Sequence, residues 1–178
     1  LFGGVGLAAG IIALEQATGK PVVWATGQYL AITQQPATLD LEVLLPAVGR
    51  NVTQGRVVGH LSDKEIITIR GACGSRPNVA QGLWETCPDA TAPEQCKPLG
   101  NHQDTPSLHQ HVDIRMAKGM FGFSGMGEPS GDGQSLFWAR MPEVEHDAAA
   151  LAIIADYMPS ALGNALGQVV HCTSIDNT

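Results

Sequence analysis

The chain opens on a stretch that is apolar on nearly every side of a helix. Between positions 5 and 17 only Glu15 and Gln16 are strongly polar, so the pattern predicts a buried helix rather than an amphipathic one. Gly19 can close this helix in a left-handed cap, and Pro21 cannot continue it. The sequence therefore predicts a central apolar helix that ends near Gly19.

Four strand patterns follow that helix. Residues 22–33 are rich in β-branched and aromatic side chains, and residues 39–45 alternate apolar and polar positions. Two further strands are predicted at 52–61 and 66–73, each preceded by a turn of small or polar residues. One helix followed by an antiparallel meander predicts an α+β unit, residues 1–74, whose sheet wraps the helix.

The second half of the chain repeats this order incompletely. Residues 75–106 hold five prolines and no sustained periodicity, which predicts a linker. Residues 107–178 then give strands at 108–116 and 134–140, with a glycine-rich loop at 119–133 between them. We expect that loop to be a mobile lid or an interface, because a phosphate-binding loop needs a strand-to-helix context.

An apolar helix at 148–158 comes next, with His146 or Asp147 as its N-cap and Pro159 as its stop, and strand composition follows from 168. Strand, apolar helix and strand in this order predict an internal duplication. We expect the sequence to be part of a longer protein, with three strands after Thr178 and one before Leu1.

Composition narrows the possible partners. With 44% hydrophobic and 15% charged residues the chain is typical of a globular protein, and the formal charge of -7 argues against a nucleic-acid partner. The first 14 residues are apolar but too short to span a bilayer, so we expect no membrane anchor or signal. The four cysteines follow no metal-ligand spacing, which favours reduced thiols and a cytoplasmic protein.

Five segments, in their order and spacing, resemble the type II acyl-CoA thioesterases, the TesB-like proteins with a double hotdog fold. The segments are LFGG at 1–4, Gln28-Tyr29-Leu30, GRNVTQ at 49–54, IADYMP at 154–159 and TSIDN at 173–177. The resemblance implies two hotdog units, each an antiparallel sheet around one long helix. Residues 1–74 would be the first unit, 75–106 a linker, and 107–178 the N-terminal part of the second.

The resemblance also implies the chemistry. The family hydrolyses fatty acyl-CoA to the free acid and CoA without a metal or organic cofactor, and its members assemble as homo-oligomers. Asp176 matches the aspartate that orients or activates the attacking water, whereas composition alone would favour a turn at Asp176-Asn177. The family's hydroxyl and glutamine partners of this aspartate are expected beyond Thr178.

Three further residues are candidates for substrate binding. Gly3 and Gly4 stand where a helix start offers free N–H groups and a positive dipole to a thioester oxygen or a CoA group, and close packing against the sheet is the alternative. Gln28 would face the acyl tunnel or polarise the carbonyl, unless it faces solvent.

Asp156 is the one carboxylate within an apolar helix pattern. It is interpreted as a structural partner of a backbone or hydroxyl group, with a second acid near the site as the alternative. His109, His111 and Asp113 would share one face of a predicted strand, but their spacing favours a solvated polar face over a metal site.

Two other functions stay open. A non-catalytic acyl-CoA binding or sensing protein would lack the partners of Asp176. A hotdog enoyl-CoA hydratase needs an Asp and His pair, and His171, five residues from Asp176, falls on the opposite strand face.

Overall fold

The structure, a computed structural model, describes residues 2–33, 36–75, 80, 82–100 and 107–178. The chain forms two compact units. Unit 1 comprises Leu1–Gln81, Asp147–Asp156 and Ser174–Thr178, and unit 2 comprises Gly82–His146 and Tyr157–Thr173. Each unit is therefore discontinuous in the sequence.

The described residues form three α-helices and eight strands. The helices are α1 (Gly3–Thr18), α2 (Ala148–Ala155) and α3 (Ala161–Leu166). The strands are β1 (Val22–Tyr29), β2 (Asp40–Val48), β3 (Val52–Leu61), β4 (Lys64–Gly74), β5 (Lys97–Pro98), β6 (Asp113–Lys118), β7 (Leu136–Arg140) and β8 (Asp176–Asn177). Short 3-10 helices lie at Pro93–Gln95, Leu108–His111 and Met158–Ser160.

Helix α1 ends where its sequence predicts. Gly19 has φ 63° and its N–H donates to the Glu15 carbonyl oxygen at 2.8 Å, which is the left-handed glycine cap. The Glu15 carboxylate in turn accepts a hydrogen bond of 2.8 Å from the N–H of Val22, the first residue of β1. The turn between helix and sheet is therefore fixed at both of its ends.

Unit 1 contains a five-stranded antiparallel sheet with the order β2-β3-β4-β1-β8. Strand β3 has the predicted bounds, whereas β1 ends at Tyr29, four residues earlier than predicted, and β2 extends to Val48. Strand β8 pairs with β1 rather than starting a new sheet. Residues near both ends of the described chain thus lie on neighbouring strands.

The core of unit 1 lies between α1 and one face of this sheet. Gly10 of α1 leaves room for Ile69, since a Cβ there would lie 2.6 Å from the Ile69 Cδ1 atom. Ile12 is 43% exposed, whereas the residues facing the core are buried, so within the described residues α1 is buried on most but not all sides. The buried core residues are Leu7, Ala8, Ile11, Leu14, Val57, Ile67, Ile69, Cys73, Ala149 and Ala152.

Helix α2 also packs in unit 1. Asp147 is its N-cap, with the side chain accepting a 2.9 Å hydrogen bond from the Ala150 N–H. A Cβ on Gly4 would lie 2.7 Å from the Ala152 carbonyl oxygen, so only glycine allows α1 to approach α2 this closely. The predicted extension of this helix to Met158 is wrong, because α2 ends at Ala155.

Unit 2 contains a three-stranded antiparallel sheet with the order β5-β6-β7. Pro159 lies in the first turn of a 3-10 helix that leads into α3. It does not stop the helical region as predicted, because the missing N–H of proline costs nothing at a helix start.

The predicted linker and loop are more ordered than expected. Within the linker, β5 pairs with β6, while residues 76–79, 81 and 101–106 lie outside the described residues. The Asn164 side chain holds the glycine-rich segment, since its Oδ1 accepts hydrogen bonds of 2.9 Å from the N–H groups of Met120 and Ser130. Such contacts anchor the segment 119–133 within unit 2.

The compact units differ from the predicted repeats. Residues 147–156 and 174–178, which the repeat pattern places in the second hotdog unit, cluster with residues 1–81 in unit 1. The division into repeats at 1–74, 75–106 and 107–178 stays a prediction, because repeats and compact units need not coincide.

Two further observations concern membrane association and the state of the cysteines. The stretch Ala148–Leu166 is long enough and, with a mean hydropathy of 1.2, apolar enough to cross a membrane, although core helices often have the same composition. The four cysteines are free thiols, with Cys73 and Cys96 buried and Cys87 and Cys172 exposed.

Candidate active site in unit 1

The predicted catalytic residue, Asp176, lies at the start of the edge strand β8. Its side chain is exposed, and its register partner on β1 is Gln28. The N–H of Tyr29 donates to the Ile175 carbonyl oxygen at 2.9 Å, which holds the chain in front of β8. The structure thus brings Asp176 and Gln28 together, since cross-strand partners share one face of a sheet.

This face of the sheet is polar around Asp176. The Thr26 hydroxyl donates to the Asn177 carbonyl oxygen at 3.0 Å and lies 2.8 Å from the Thr178 hydroxyl oxygen. Gln28 is exposed on the same face. A carboxylate in such a setting is open to water and has neutral hydrogen-bonding groups beside it.

Asp156 lies against the start of α1 and is only 7% exposed. Its Oδ2 atom accepts a hydrogen bond of 2.8 Å from the Gly4 N–H, and its Oδ1 atom accepts one of 3.0 Å from the Ser174 hydroxyl. A carboxylate at this point is stabilised by the positive end of the helix dipole. Both oxygens therefore serve as acceptors for structural partners.

This contact changes the expectation for the two glycines. The Gly4 N–H is bonded to Asp156 and is not free for a thioester oxygen. The Gly3 carbonyl oxygen accepts a hydrogen bond of 2.7 Å from the Tyr29 hydroxyl. Gly4 packs closely, but against α2 and not against the sheet as the alternative had it. A substrate-binding role for Gly3 and Gly4 stays a prediction.

Tyr29 links this network to Asp176. The pKa of Tyr29 is raised to about 12, mainly by burial and next by the negative charge of Asp156. A hydrogen bond with the Asn177 side chain lowers this pKa, and the charge of Asp176 adds a smaller increase; both are included in that value. Ser174 and Asn177, which flank the segment carrying Asp176, are therefore both connected to the first turn of α1.

The raised pKa gives a testable pH dependence. Folded unit 1 keeps the Tyr29 proton to a higher pH than the unfolded chain does. The stabilisation of the fold by protonated Tyr29 is therefore complete below pH 10 and is lost as the pH rises from 10 to about 12. The tyrosinate absorbance of the wild type minus that of Tyr29→Phe is expected to titrate near 12, with circular dichroism recorded in parallel. A midpoint at or below 10 in the folded protein would contradict the described environment.

The structure does not place His109, His111 and Asp113 on one face of a strand, as the sequence pattern predicted. His109 and His111 lie in a 3-10 helix and not on a strand, because the Ser107 hydroxyl caps that turn and β6 begins only at Asp113. The His109 Nδ1 atom lies 2.7 Å from the Tyr157 hydroxyl, and the His111 Nδ1 atom lies 3.0 Å from Glu143. No group of three potential ligands occurs within the described ranges.

Sequence reasoning predicted the kind of contact that Asp156 makes, without naming its partners, and missed the contacts of Tyr29. The signal for Asp156 was a carboxylate within an apolar helix, and its interpretation as a partner of a backbone or hydroxyl group is what the contacts show. Tyr29 gave no signal, because an aromatic residue at the end of a strand is ordinary.

Comparison with known protein families identifies a domain that contains both aspartates. Residues 93–178 match the sequence profile described as the acyl-CoA thioesterase C-terminal domain, and this range includes Asp156 and Asp176. The second half of the chain is thus similar to the acyl-CoA thioesterases. A comparison with curated proteins gives no significant match.

Solved structures of thioesterases share the fold. A candidate thioesterase from Novosphingobium aromaticivorans has a TM-score of 0.84 at 28% identity, with 99% of this chain and 67% of that chain covered. The tesB protein of Mycobacterium avium subsp. paratuberculosis has a TM-score of 0.70 at 19% identity, with 99% and 66% covered. The predicted resemblance to the type II acyl-CoA thioesterases is confirmed.

The fold itself is the hot dog fold. A conserved protein of unknown function with this fold from Alicyclobacillus acidocaldarius has a TM-score of 0.77 at 17% identity, with 98% of this chain and 65% of that chain covered. The chain thus spans about two thirds of the length of these three structures.

Proposed function

We propose that the protein hydrolyses fatty acyl-CoA thioesters to the free acid and CoA, with Asp176 as the residue that orients or activates the attacking water. The observation that carries the proposal is that residues 93–178, which match the acyl-CoA thioesterase domain, contain Asp176 as an exposed carboxylate beside Gln28.

The chemistry of thioester hydrolysis fits such a residue. A water oxygen bonds to the thioester carbonyl carbon while a general base accepts the water proton, and the carbon–sulfur bond then breaks. The thiolate of CoA takes up a proton, so one water yields one acid and one thiol. An exposed carboxylate can hold the water, and Gln28 offers an amide N–H to the oxygen on which negative charge develops.

The test is free-thiol release by the full-length protein from a panel of acyl-CoAs of increasing chain length. We expect hydrolysis with a preference for one range of chain length, and S-acyl-pantetheine serves as a substrate with the same thioester. Binding of acyl-CoA with no thiol release would overturn the proposal in favour of a sensing protein. Hydration of an enoyl-CoA without thiol release would favour the hydratase alternative.

A further inference from the structure

Two arginines of unit 1 lie directly opposite each other on neighbouring strands. Arg56 of β3 and Arg70 of β4 are register partners, and both are exposed. Side chains in such pairs have Cβ atoms about 5 Å apart, and like charges at that separation repel. The pair therefore costs folding free energy unless something else compensates for it.

No ion pair among the described residues offsets the repulsion between Arg56 and Arg70. The ion pairs of the described residues involve other arginines, as when Arg115 and Arg140 both bind Asp113, and none involves Arg56 or Arg70. On the neighbouring strands, Arg56 is opposite Leu44 of β2 and Arg70 is opposite Thr26 of β1, and both of these partners are neutral. Two positive charges without an ion-pair partner among the described residues thus lie side by side in a chain with a formal charge of -7.

Both arginines project away from α1. A Cβ on Gly55 or Gly71 would contact Leu14 of α1, so these neighbours of Arg56 and Arg70 face the helix. Because side chains alternate along a strand, Arg56 and Arg70 occupy the opposite face. That face is also the one with Thr26, Gln28 and Asp176.

The same register gives the distance to the candidate catalytic residue. Arg70 is opposite Thr26, and Gln28, two residues along β1, is opposite Asp176. Two strand spacings and two residues along the strand separate the Cα atoms of Arg70 and Asp176 by about 12 Å. The pantetheine arm of CoA spans such a distance between its sulfur and its phosphates.

We propose that Arg56 and Arg70 bind the phosphate groups of the CoA part of the substrate, an inference that rests on the proposed function. Guanidinium groups form paired hydrogen bonds with phosphate oxygens, and two adjacent groups match a diphosphate. The anion removes the repulsion between the arginines, and the Thr26 hydroxyl lies on the same face beside them. The pair holds the nucleotide end of CoA while the thioester reaches Asp176.

The experiment measures equilibrium binding of CoA by calorimetry to the full-length protein and to Arg56→Gln, Arg70→Gln and the double variant. Each single variant is expected to raise the Kd for CoA about tenfold, since each removes hydrogen bonds to a charged group. The double variant should also show a weaker dependence of the Kd on salt. Arg50→Gln, an exposed arginine in the turn before β3, is the matched control and should leave the Kd unchanged.

A substrate without phosphate groups distinguishes a loss of phosphate binding from a loss of thioester hydrolysis. The KM for S-acyl-pantetheine, which has no phosphate, should be the same in the wild type and in all variants, whereas the KM for acyl-CoA should rise. Melting temperatures at or above that of the wild type would show that the variants fold, because removing one arginine removes the repulsion.

Four results would overturn the inference. A double variant that binds CoA like the wild type, or an equal loss in Arg50→Gln, would exclude the pair as the binding site. An equal rise in KM for S-acyl-pantetheine would show a general defect. If the wild type hydrolyses acyl-CoA in any of these cases, the proposed function still stands. Arginine-dependent binding of inorganic diphosphate by a protein that neither binds CoA nor releases thiol would overturn both.

Discussion

Asp176→Asn is expected to lower kcat for thioester hydrolysis in the full-length protein by about a hundredfold or more, the usual contribution of a general base. Asparagine has nearly the same shape, but its amide cannot accept the proton of the attacking water. The KM for acyl-CoA should change little, because the substitution acts on the chemical step. Thiol release over a range of substrate concentrations separates the two constants.

A matched control for this variant lies on the other edge strand of the same sheet. Asp40 begins β2 and is exposed, as Asp176 is. Asp40→Asn should leave kcat unchanged, and both variants should unfold within about 0.5 kcal/mol of the wild type, as exposed substitutions usually do. Wild-type activity in Asp176→Asn would keep the enzyme and remove Asp176 from its mechanism.

Asp156→Ala is expected to lower the free energy of unfolding by about 3 kcal/mol, because buried partners of a charged group lose their acceptor. The Gly4 N–H and the Ser174 hydroxyl would both remain without their present partner. The attraction between the carboxylate and the start of α1 would also be lost. Denaturant unfolding followed by circular dichroism measures the change.

Asp156→Asn separates the contribution of the hydrogen bonds to the free energy of unfolding from that of the charge. The amide oxygen can still accept from Gly4, and the amide nitrogen can donate to the Ser174 oxygen, so the loss should stay near 1 kcal/mol. Equal losses in the two variants would mean that the charge dominates over the hydrogen bonds. An alanine variant as stable as the wild type would contradict the described contacts.

The sequence pattern correctly predicted the helices and strands that depend on residues close together in the chain. The apolar run and Gly19 define α1, and the strand pattern at 52–61 gives β3 with its observed bounds. These predictions hold because helix capping and side-chain alternation depend on residues only a few positions apart.

Predictions failed where a competing local interaction was stronger. The alternation from Leu108 predicts a strand, but the Ser107 side chain accepts a hydrogen bond from the His109 N–H and stabilises a 3-10 turn first. Pro159 was interpreted as a stop, although proline is equally suited to a helix start. The sequence alone does not decide between such local alternatives.

The candidate site was predictable only in part, for a different reason. The resemblance supplied Asp176, and composition alone would have made it a turn residue. Its pairing with Gln28, and the bonds of Asp156 to Gly4 and Ser174, depend on which strands and helices meet. No periodicity in a single sequence encodes contacts between segments 150 residues apart.

The separation between Gly4 and Asp156, 152 positions along the chain, has a consequence for the order of folding during synthesis. Helix α1 and strands β1 to β4 are contiguous, so they can assemble while the rest of the chain is still being made. Helix α2 and β8 can dock only after the 65 residues of Gly82–His146, all in unit 2, have been made. Until then β1 has a free edge and the start of α1 lacks its carboxylate, so the nascent chain depends on this late closure to add the strand that carries Asp176.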